Sequence, residues 1–277
     1  MTRRSSLAIV AVLTFVTAAP AQAPQFRWRT GQTLTYKVSQ TTAADETIGE
    51  KVQSTTTQLD LVKRWQVTGV DANGVATPQM MLASLRMETK TPSGEKLLFD
   101  SAKPAESTEA LREDMGKYVG PPLTIVRLDA RGQLVEVKES KFGPESRLES
   151  DLPFKLVLPA EALSIGKSWE RHYAIKLEPP HGTGESFEAT QRYAPTGAAA
   201  GVVTIGFTTS VKNPPEAAAD QLPLLPLMPD GEIQFDVANG RLKGVKYQIR
   251  KELTEHRGEG SKYLFKTTYA EELTAAQ

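Results

Sequence analysis

The chain has 277 residues with an even charge balance, 33 basic against 33 acidic side chains. Hydrophobic residues make up 39% and charged residues 24%, which is typical of a folded domain and excludes a disordered chain. A nucleic-acid-binding domain would carry a basic surplus, so we expect no nucleic-acid partner. The absence of cysteine excludes disulfides, thiol nucleophiles and cysteine-based metal sites.

The N-terminus is predicted to be a signal peptide. Arg3 and Arg4 precede an apolar run from Leu7 to Ala19, which has the length of a secretory signal. This run is shorter than the roughly 20 residues that span a bilayer, although an uncleaved membrane anchor is the alternative. Small residues suited to a signal peptidase follow at Ala19-Pro20-Ala21, the preferred site, and at Ala21-Gln22-Ala23.

We therefore predict that residues 1–21 are removed and that residues 22–277 form one exported β-rich domain. Removal of Arg3 and Arg4 leaves this domain slightly acidic. Its predicted location is the periplasm or the extracellular space, with no transmembrane anchor after cleavage.

The C-terminal part is predicted to be an antiparallel meander, because apolar and polar residues alternate there with the period of a sheet. Asn239-Gly240 is a strong hairpin signal between two of its strands, and Arg257–Gly260 joins another pair. The alternating sets are Trp169, Tyr173, Ile175 and Leu177; Val203, Ile205, Phe207 and Val211; Ile233, Phe235 and Val237; Val245, Tyr247, Ile249 and Leu253; Tyr263, Phe265 and Tyr269.

The N-terminal half shows the same alternation at Leu34, Tyr36 and Val38 and through a long stretch from Lys51 to Val70. After a turn at Asp71–Gly74, one strand face is predicted to carry Met81, Ala83, Leu85 and Met87. A second turn at Pro92-Ser93-Gly94 leads back to Leu97 and Phe99.

One helix is predicted near residues 104–117. Pro104 suits a first helical turn, and Leu111, Met115 and Tyr118 share one helical face. Gly120-Pro121-Pro122 ends the pattern.

Two turn motifs recur and raise the possibility of internal duplication. Thr30–Thr33 is similar to Ile165–Ser168, and Leu128–Leu134 is similar to Phe235–Leu242. Two pseudo-repeated lobes, 24–137 and 154–273, would explain this; a single unit with recurring turns is the alternative. In either case the fold class is all-β and mainly antiparallel, with long meandering strands in a curved sheet or half-barrel.

The segment Leu158–Trp169, with Leu-Pro followed by Gly-x-Ser-Trp at a strand start, resembles an uncharacterised family of secreted bacterial β-rich proteins, a domain of unknown function. Gly31–Tyr36, Asp100-Ser101 and the Asp-x-x-Gly-x-Leu turns fit the same pattern. The resemblance implies an exported β protein and transfers no catalytic residue. More distantly, the architecture resembles periplasmic lipoprotein carriers, which implies a curved sheet around an apolar groove.

No catalytic motif is present, so we predict no catalytic residue, no metal site and no cofactor. The three histidines, His172, His181 and His256, lack a metal-type spacing and are expected on the solvated surface. His172 and His181 could meet as hairpin neighbours, and that pair is the alternative metal site. Phosphate-binding loops and a nucleophile elbow are absent from the sequence.

The most unusual segment is Leu222–Pro229, whose regularly spaced prolines favour an extended polyproline conformation. We predict an apolar flap at the mouth of a ligand groove, formed by Leu222, Leu224, Leu225, Leu227 and Met228. The alternative is a loop that covers one open end of the β core.

Trp28, Trp65 and Trp169 are expected to fill the core, with ligand stacking as the alternative. The function hypothesis is an exported, non-enzymatic binding or envelope-associated module that holds an apolar small molecule or lipid. The first alternative is a module that binds an envelope or secreted protein. The second is an enzyme with a dispersed site.

Overall fold

The computed structural model describes residues 23–141, 143–179 and 182–277. The predicted signal peptide, residues 1–21, lies outside them, as does His181. The strands are β1 (Thr33–Ile48), β2 (Lys51–Val70), β3 (Ala76–Lys90), β4 (Lys96–Asp100), β5 (Pro122–Leu128), β6 (Leu134–Ser140), β7 (Trp169–Leu177), β8 (Glu185–Ala199), β9 (Val202–Val211), β10 (Asp230–Asp236), β11 (Arg241–Thr254) and β12 (Lys262–Ala276). The α-helices are α1 (Glu109–Gly116), α2 (Glu145–Ser150) and α3 (Ala218–Gln221), and 3₁₀ helices cover Pro104–Glu106 and Leu222–Leu227.

All twelve strands belong to one sheet in the order β6-β5-β3-β2-β1-β12-β11-β10-β9-β8-β7, with β4 paired to β3. Every ladder between these strands is antiparallel. The sheet is curved and remains open between its edge strands β6 and β7. These observations confirm the all-β, antiparallel prediction, together with the predicted turns at Asn239-Gly240 and Arg257–Gly260.

The main core lies on the concave face of the sheet. Val126 of β5 and Phe207 of β9 belong to one buried cluster, although the two strands are far apart in the sheet order and each strand adds about 4.8 Å. Such distant strands share a core only if the sheet curls around it. The curvature therefore follows from the burial of apolar side chains on one face.

The connection between the two edge strands runs through this concave interior. Leu152, Phe154, Leu156 and Leu158 are all buried. The ring of Phe154 lies 5.0 Å from that of Trp65, and it also contacts three other aromatic rings. Helix α2 packs against both β6 and β7, so the connecting segment fills the open side of the sheet.

The predicted helix at 104–117 is interrupted in the structure. The backbone N–H groups of Asp100 and Leu98 donate to the hydroxyls of Ser107 and Thr108, which ties these residues to β4 and ends the first 3₁₀ turn. Helix α1 begins after them. Its apolar face, including Leu111, packs against the sheet as predicted.

The predicted face of β3 is wrong for Met81 and Ala83. The ladder with β2 skips Ala83, which is exposed. This β-bulge places Leu82 on the same side as Leu85 and Met87, because one extra residue inverts the alternation. Met81 therefore does not share the face that the uninterrupted pattern predicted.

None of the helices within the described ranges has the length and hydropathy of a membrane-spanning helix. Strands β1–β6 form one half of the sheet and β7–β12 the other, with β1 beside β12. Whether the halves are pseudo-repeated lobes stays a prediction.

Candidate functional site

A cavity of about 310 Å³ lies between the concave face of the sheet and the segment that follows β6. Seven strands of the sheet contribute residues, and the segment 144–155 covers them from the other side. This volume is at the lower end of the range for small-molecule sites. Its apolar and aromatic lining residues are Trp65, Met80, Leu148, Leu152, Tyr247 and Tyr269.

Two stacked tyrosines form part of the cavity wall. Tyr247 and Tyr269 are directly opposed on β11 and β12, with ring centroids 4.5 Å apart and nearly parallel planes. Burial raises the pKa of both hydroxyls above the ordinary range, with a further rise from the nearby Glu271 carboxylate. Both therefore stay protonated at neutral pH, and Tyr269 donates to Glu271 Oε2 at 2.7 Å.

Glu271 also forms a buried ion pair with Lys63, which lines the cavity. Its Oε1 lies 2.6 Å from Lys63 Nζ, and the two side chains are 1% and 14% exposed. The residues come from β12 and β2, which flank β1 in the sheet. Burial of such a pair is costly because both charges lose their hydration. The interior beside the cavity therefore contains charged groups as well as apolar side chains.

Lys155 is the second buried cation. It has a positive φ of 52°, a backbone conformation that is uncommon for residues other than glycine. Its side chain is 16% exposed and contacts the Asp151 carboxylate, and its Nζ lies 5.8 Å from the centroid of the Tyr247 ring. Burial, followed by repulsion from Lys63, lowers the pKa of Lys155 to about 7.

Two buried hydrogen-bond donors belong to the same cavity lining. Trp65 and Thr124 are 3% and 1% exposed, and both line the cavity. Within residues 23–141, 143–179 and 182–277, Trp65 Nε1 and Thr124 Oγ1 have no hydrogen-bond partner. Buried polar atoms are nearly always paired, so these two atoms are candidates for contact with a ligand.

A second cavity, of about 540 Å³, lies on the other side of α2. Arg147 and Pro144 line both cavities. Leu222 and Leu227, from the proline-rich segment, line the second one. Helix α2 thus separates the aromatic cavity from a space next to the predicted flap.

The proline-rich segment forms a 3₁₀ helix, Leu222–Leu227, rather than the predicted polyproline conformation. The fixed φ of proline, near −65°, is compatible with a 3₁₀ helix. Leu224 and Leu225 are fully buried in two apolar clusters. Leu222, Leu227 and Met228 are partly buried against these clusters.

The prediction that the histidines are solvated is wrong for His256. Its side chain is fully buried, and Nε2 lies 2.8 Å from Glu46 Oε1. His172 is exposed, with Nδ1 3.1 Å from Thr190 Oγ1. No group of three metal-ligating side chains occurs in the described part of the chain.

The three tryptophans all contact the core. Trp28 stacks on Phe26, and Trp169 stacks on Tyr193 and donates to the Val157 carbonyl at 2.7 Å. Trp65 belongs to the main buried cluster and also lines the cavity. For Trp65, the two sequence hypotheses of core filling and ligand contact are thus compatible.

Sequence reasoning missed the charged residues of the site. Lys155 is the one charged residue in the apolar run Leu152–Leu158. Glu271 continues the apolar face of its strand after Tyr269. A charged residue that interrupts a buried pattern was the available signal.

No family model and no curated protein matches the chain. Among solved structures, lipovitellin, from work on its lipid–protein interactions, aligns with 91% of this chain at 11% identity and a TM-score of 0.50. This chain spans 26% of the lipovitellin chain. At that identity the likeness concerns the fold alone.

Two bacterial structures align over most of both chains at very low similarity. DynF, from the dynemicin biosynthesis pathway of Micromonospora chersina, has 10% identity and a TM-score of 0.20 over 96% of this chain and 92% of its own. A DUF1329 family protein from Desulfovibrio piger has 11% identity and a TM-score of 0.16 over 89% and 87%. These scores are too low to support an argument, so the resemblance to a secreted family of unknown function stays a prediction.

Proposed function

We propose that the protein is a binding module that holds an apolar or amphipathic small molecule, such as a lipid, against the concave face of its sheet. The observation that carries the proposal is the aromatic cavity between the sheet and residues 144–155. A concave, mostly apolar space with a few polar groups is the usual form of a small-molecule site.

The cover of this cavity supports the proposal. The segment 144–155 is held to the sheet by Phe154 and Leu152, which are buried on either side of Pro153. Its short helix α2 also borders the second cavity. A ligand could therefore enter beside α2 while Phe154 keeps the covering segment anchored.

The likeness to lipovitellin supports the proposal independently of the cavity. The lipovitellin structure, which shares the fold of this chain over 91% of its length, was described for its lipid–protein interactions. We extend lipid binding to this chain only as a proposal, since fold alone does not determine function.

A neutral fluorescent probe tests the proposal. We expect delipidated protein to bind N-phenyl-1-naphthylamine saturably, with a fluorescence increase. Leu148→Trp would fill the cavity and abolish binding, whereas Ile165→Trp, at a site that is 62% exposed, is the matched control. Absence of saturable binding to folded protein would overturn the proposal.

A variant in the proline-rich segment tests the predicted flap in the same experiment. Leu227→Ser changes a side chain at the second cavity without touching the first. Weaker probe binding in this variant, with unchanged binding in Leu148→Trp, would move the site from the first cavity to the flap of Leu222–Met228.

A second candidate partner is an envelope protein. The tip of the β1–β2 hairpin exposes two apolar residues, Ile48 at 44% and Val52 at 65%. If this tip binds a protein, a photocrosslinker placed at the tip should form one discrete adduct with an envelope protein. The double substitution Ile48→Ser and Val52→Ser should abolish that adduct and leave probe binding intact. An unchanged crosslink would reject the tip as an interface.

Export is also part of the proposal. Expression of the full chain in a bacterium, followed by N-terminal sequencing of protein from the periplasm and the medium, should give a start after Ala21. Full-length protein retained in the cytoplasm would contradict it.

A further inference from the structure

The polar groups of the first cavity are dominated by hydrogen-bond donors. Lys155, Trp65 and Thr124 all line it. An indole N–H can only donate, as can a protonated lysine, while a hydroxyl can donate or accept. In the described chain, neither the Trp65 N–H nor the Thr124 hydroxyl has a partner. A group with several acceptor oxygens has the chemistry to accept hydrogen bonds from all three side chains.

The charge balance of the lining points the same way. Lys63 is neutralised by Glu271, and Lys155 contacts Asp151, whose side chain is 57% exposed. Arg147 lies at the exposed edge of the cavity, and no carboxylate of the described residues forms an ion pair with it. The site therefore has a surplus of one positive charge when Lys155 is protonated.

We propose that the ligand is an amphiphile with an anionic head, a carboxylate, sulfonate or phosphate, and that Lys155, Trp65 and Thr124 hold this head while its body lies against the stacked tyrosines. This inference rests on the proposed function and specifies the ligand class of the same cavity. Lys155, together with Arg147 at the cavity edge, supplies the positive charge, and the two neutral donors fix the orientation of the head.

Binding should then depend on pH through Lys155. The charged and titratable groups that face it are Lys63 from β2, Glu271 and Tyr269 from β12, Tyr247 from β11, Arg171 from β7, and Asp151 and Arg147 from the covering segment. Because burial lowers the pKa of Lys155 to about 7, the ammonium form is lost as the pH rises above neutrality. The affinity for an anion should fall by up to about tenfold per pH unit there.

Two dyes with one skeleton provide the test. 1-Anilinonaphthalene-8-sulfonate and N-phenyl-1-naphthylamine differ by a sulfonate that does not titrate between pH 6 and 9. We expect the anionic dye to bind at least about tenfold more tightly at pH 6, and only its affinity to fall toward pH 9. Lys155→Met should remove both the tighter binding of the anionic dye at pH 6 and its pH dependence, while the affinity for the neutral dye stays unchanged. Thr124→Val should lower the affinity for the anionic dye about threefold.

Lys212→Met is the control for the loss of one positive charge, since Lys212 is 68% exposed and pairs with Glu188 on the surface. It should behave as the wild type in both titrations.

Displacement of the neutral dye by dodecanoate, dodecyl phosphate and dodecanol then identifies the head group. We expect the preferred anion to displace the dye with an affinity at least about tenfold higher than that of the alcohol.

The outcomes separate the two proposals. Saturable binding of the neutral dye with equal affinity for both dyes, or a pH effect that persists in Lys155→Met, would overturn the anionic head and leave the apolar cavity standing. Failure of both dyes to bind folded protein would overturn the cavity as a ligand site. Thermal melts confirm that each variant is folded.

Discussion

Phe154 and Lys155 are adjacent in the chain but belong to two different kinds of interior. Phe154 is 2% exposed and contacts four aromatic rings. Lys155 turns away through its positive φ into a region with buried charge and a cavity. One covering segment thus closes the core at one residue and leaves a cavity at the next.

The two regions differ in how completely side chains fill the space between the sheet and the covering segment. Around Phe154, rings from the N-terminal segment and from β1 and β2 fill the space between sheet and cover. Around Lys155, a long side chain and an ion pair occupy positions that apolar groups would fill more densely. Substitutions in the two regions should therefore differ in their effect on the free energy of unfolding.

Phe154→Ala should lower the free energy of unfolding by about 3–5 kcal/mol, because it removes a ring from a filled core and leaves a cavity. Denaturant titration measures the change. Ile165→Ala, at an exposed apolar position, should stay within about 0.5 kcal/mol of the wild type. If Phe154→Ala lowers the free energy of unfolding by less than about 1 kcal/mol, the surroundings of Phe154 are not densely packed.

Glu271→Gln should destabilise by about 3 kcal/mol, since it leaves the buried Lys63 without its carboxylate. Adding Lys63→Met to this variant should recover most of the loss in the same denaturant titration. Glu272→Gln, at the exposed neighbouring position, is the control for charge alone. Equal effects of the two glutamine substitutions would contradict a buried ion pair.

The stability difference between wild type and Lys155→Met should depend on pH. The folded state lowers the pKa of Lys155 to about 7, below its unfolded value of roughly 10.4. Between these values the unfolded chain binds more protons, so the wild type gains stability relative to the variant as the pH rises, by about 1 kcal/mol per unit. A flat difference from pH 7 to 10 would mean that Lys155 is solvated.

Met80→Phe should change stability by less than about 1 kcal/mol, since the cavity that Met80 lines has room for a ring. Probe binding should be lost. The matched substitution at the packed end is Val126→Phe, which should cost about 1–3 kcal/mol through overpacking. Denaturant titration measures both changes. If Met80→Phe and Val126→Phe lower the free energy of unfolding equally, the two regions do not differ in packing.

Much of the sheet could be predicted because strand signals are local. The alternation at Trp169–Leu177 and the Asn239-Gly240 turn depend on neighbouring residues alone. The bulge at Ala83 could not be predicted, since it is a property of the ladder with β2. The interruption at Ser107 likewise depends on hydrogen bonds to β4.

The strand-rich fold, the turns and the apolar face of α1 follow from local sequence patterns, because each is encoded within a few residues. The path of the segment that carries Lys155, across the concave face to Glu271 and Lys63, depends instead on long-range packing. These residues come from distant parts of the chain, and their contact requires the curvature of the whole sheet. The same long-range packing buried His256 and Leu224, whose local patterns did not determine their surroundings.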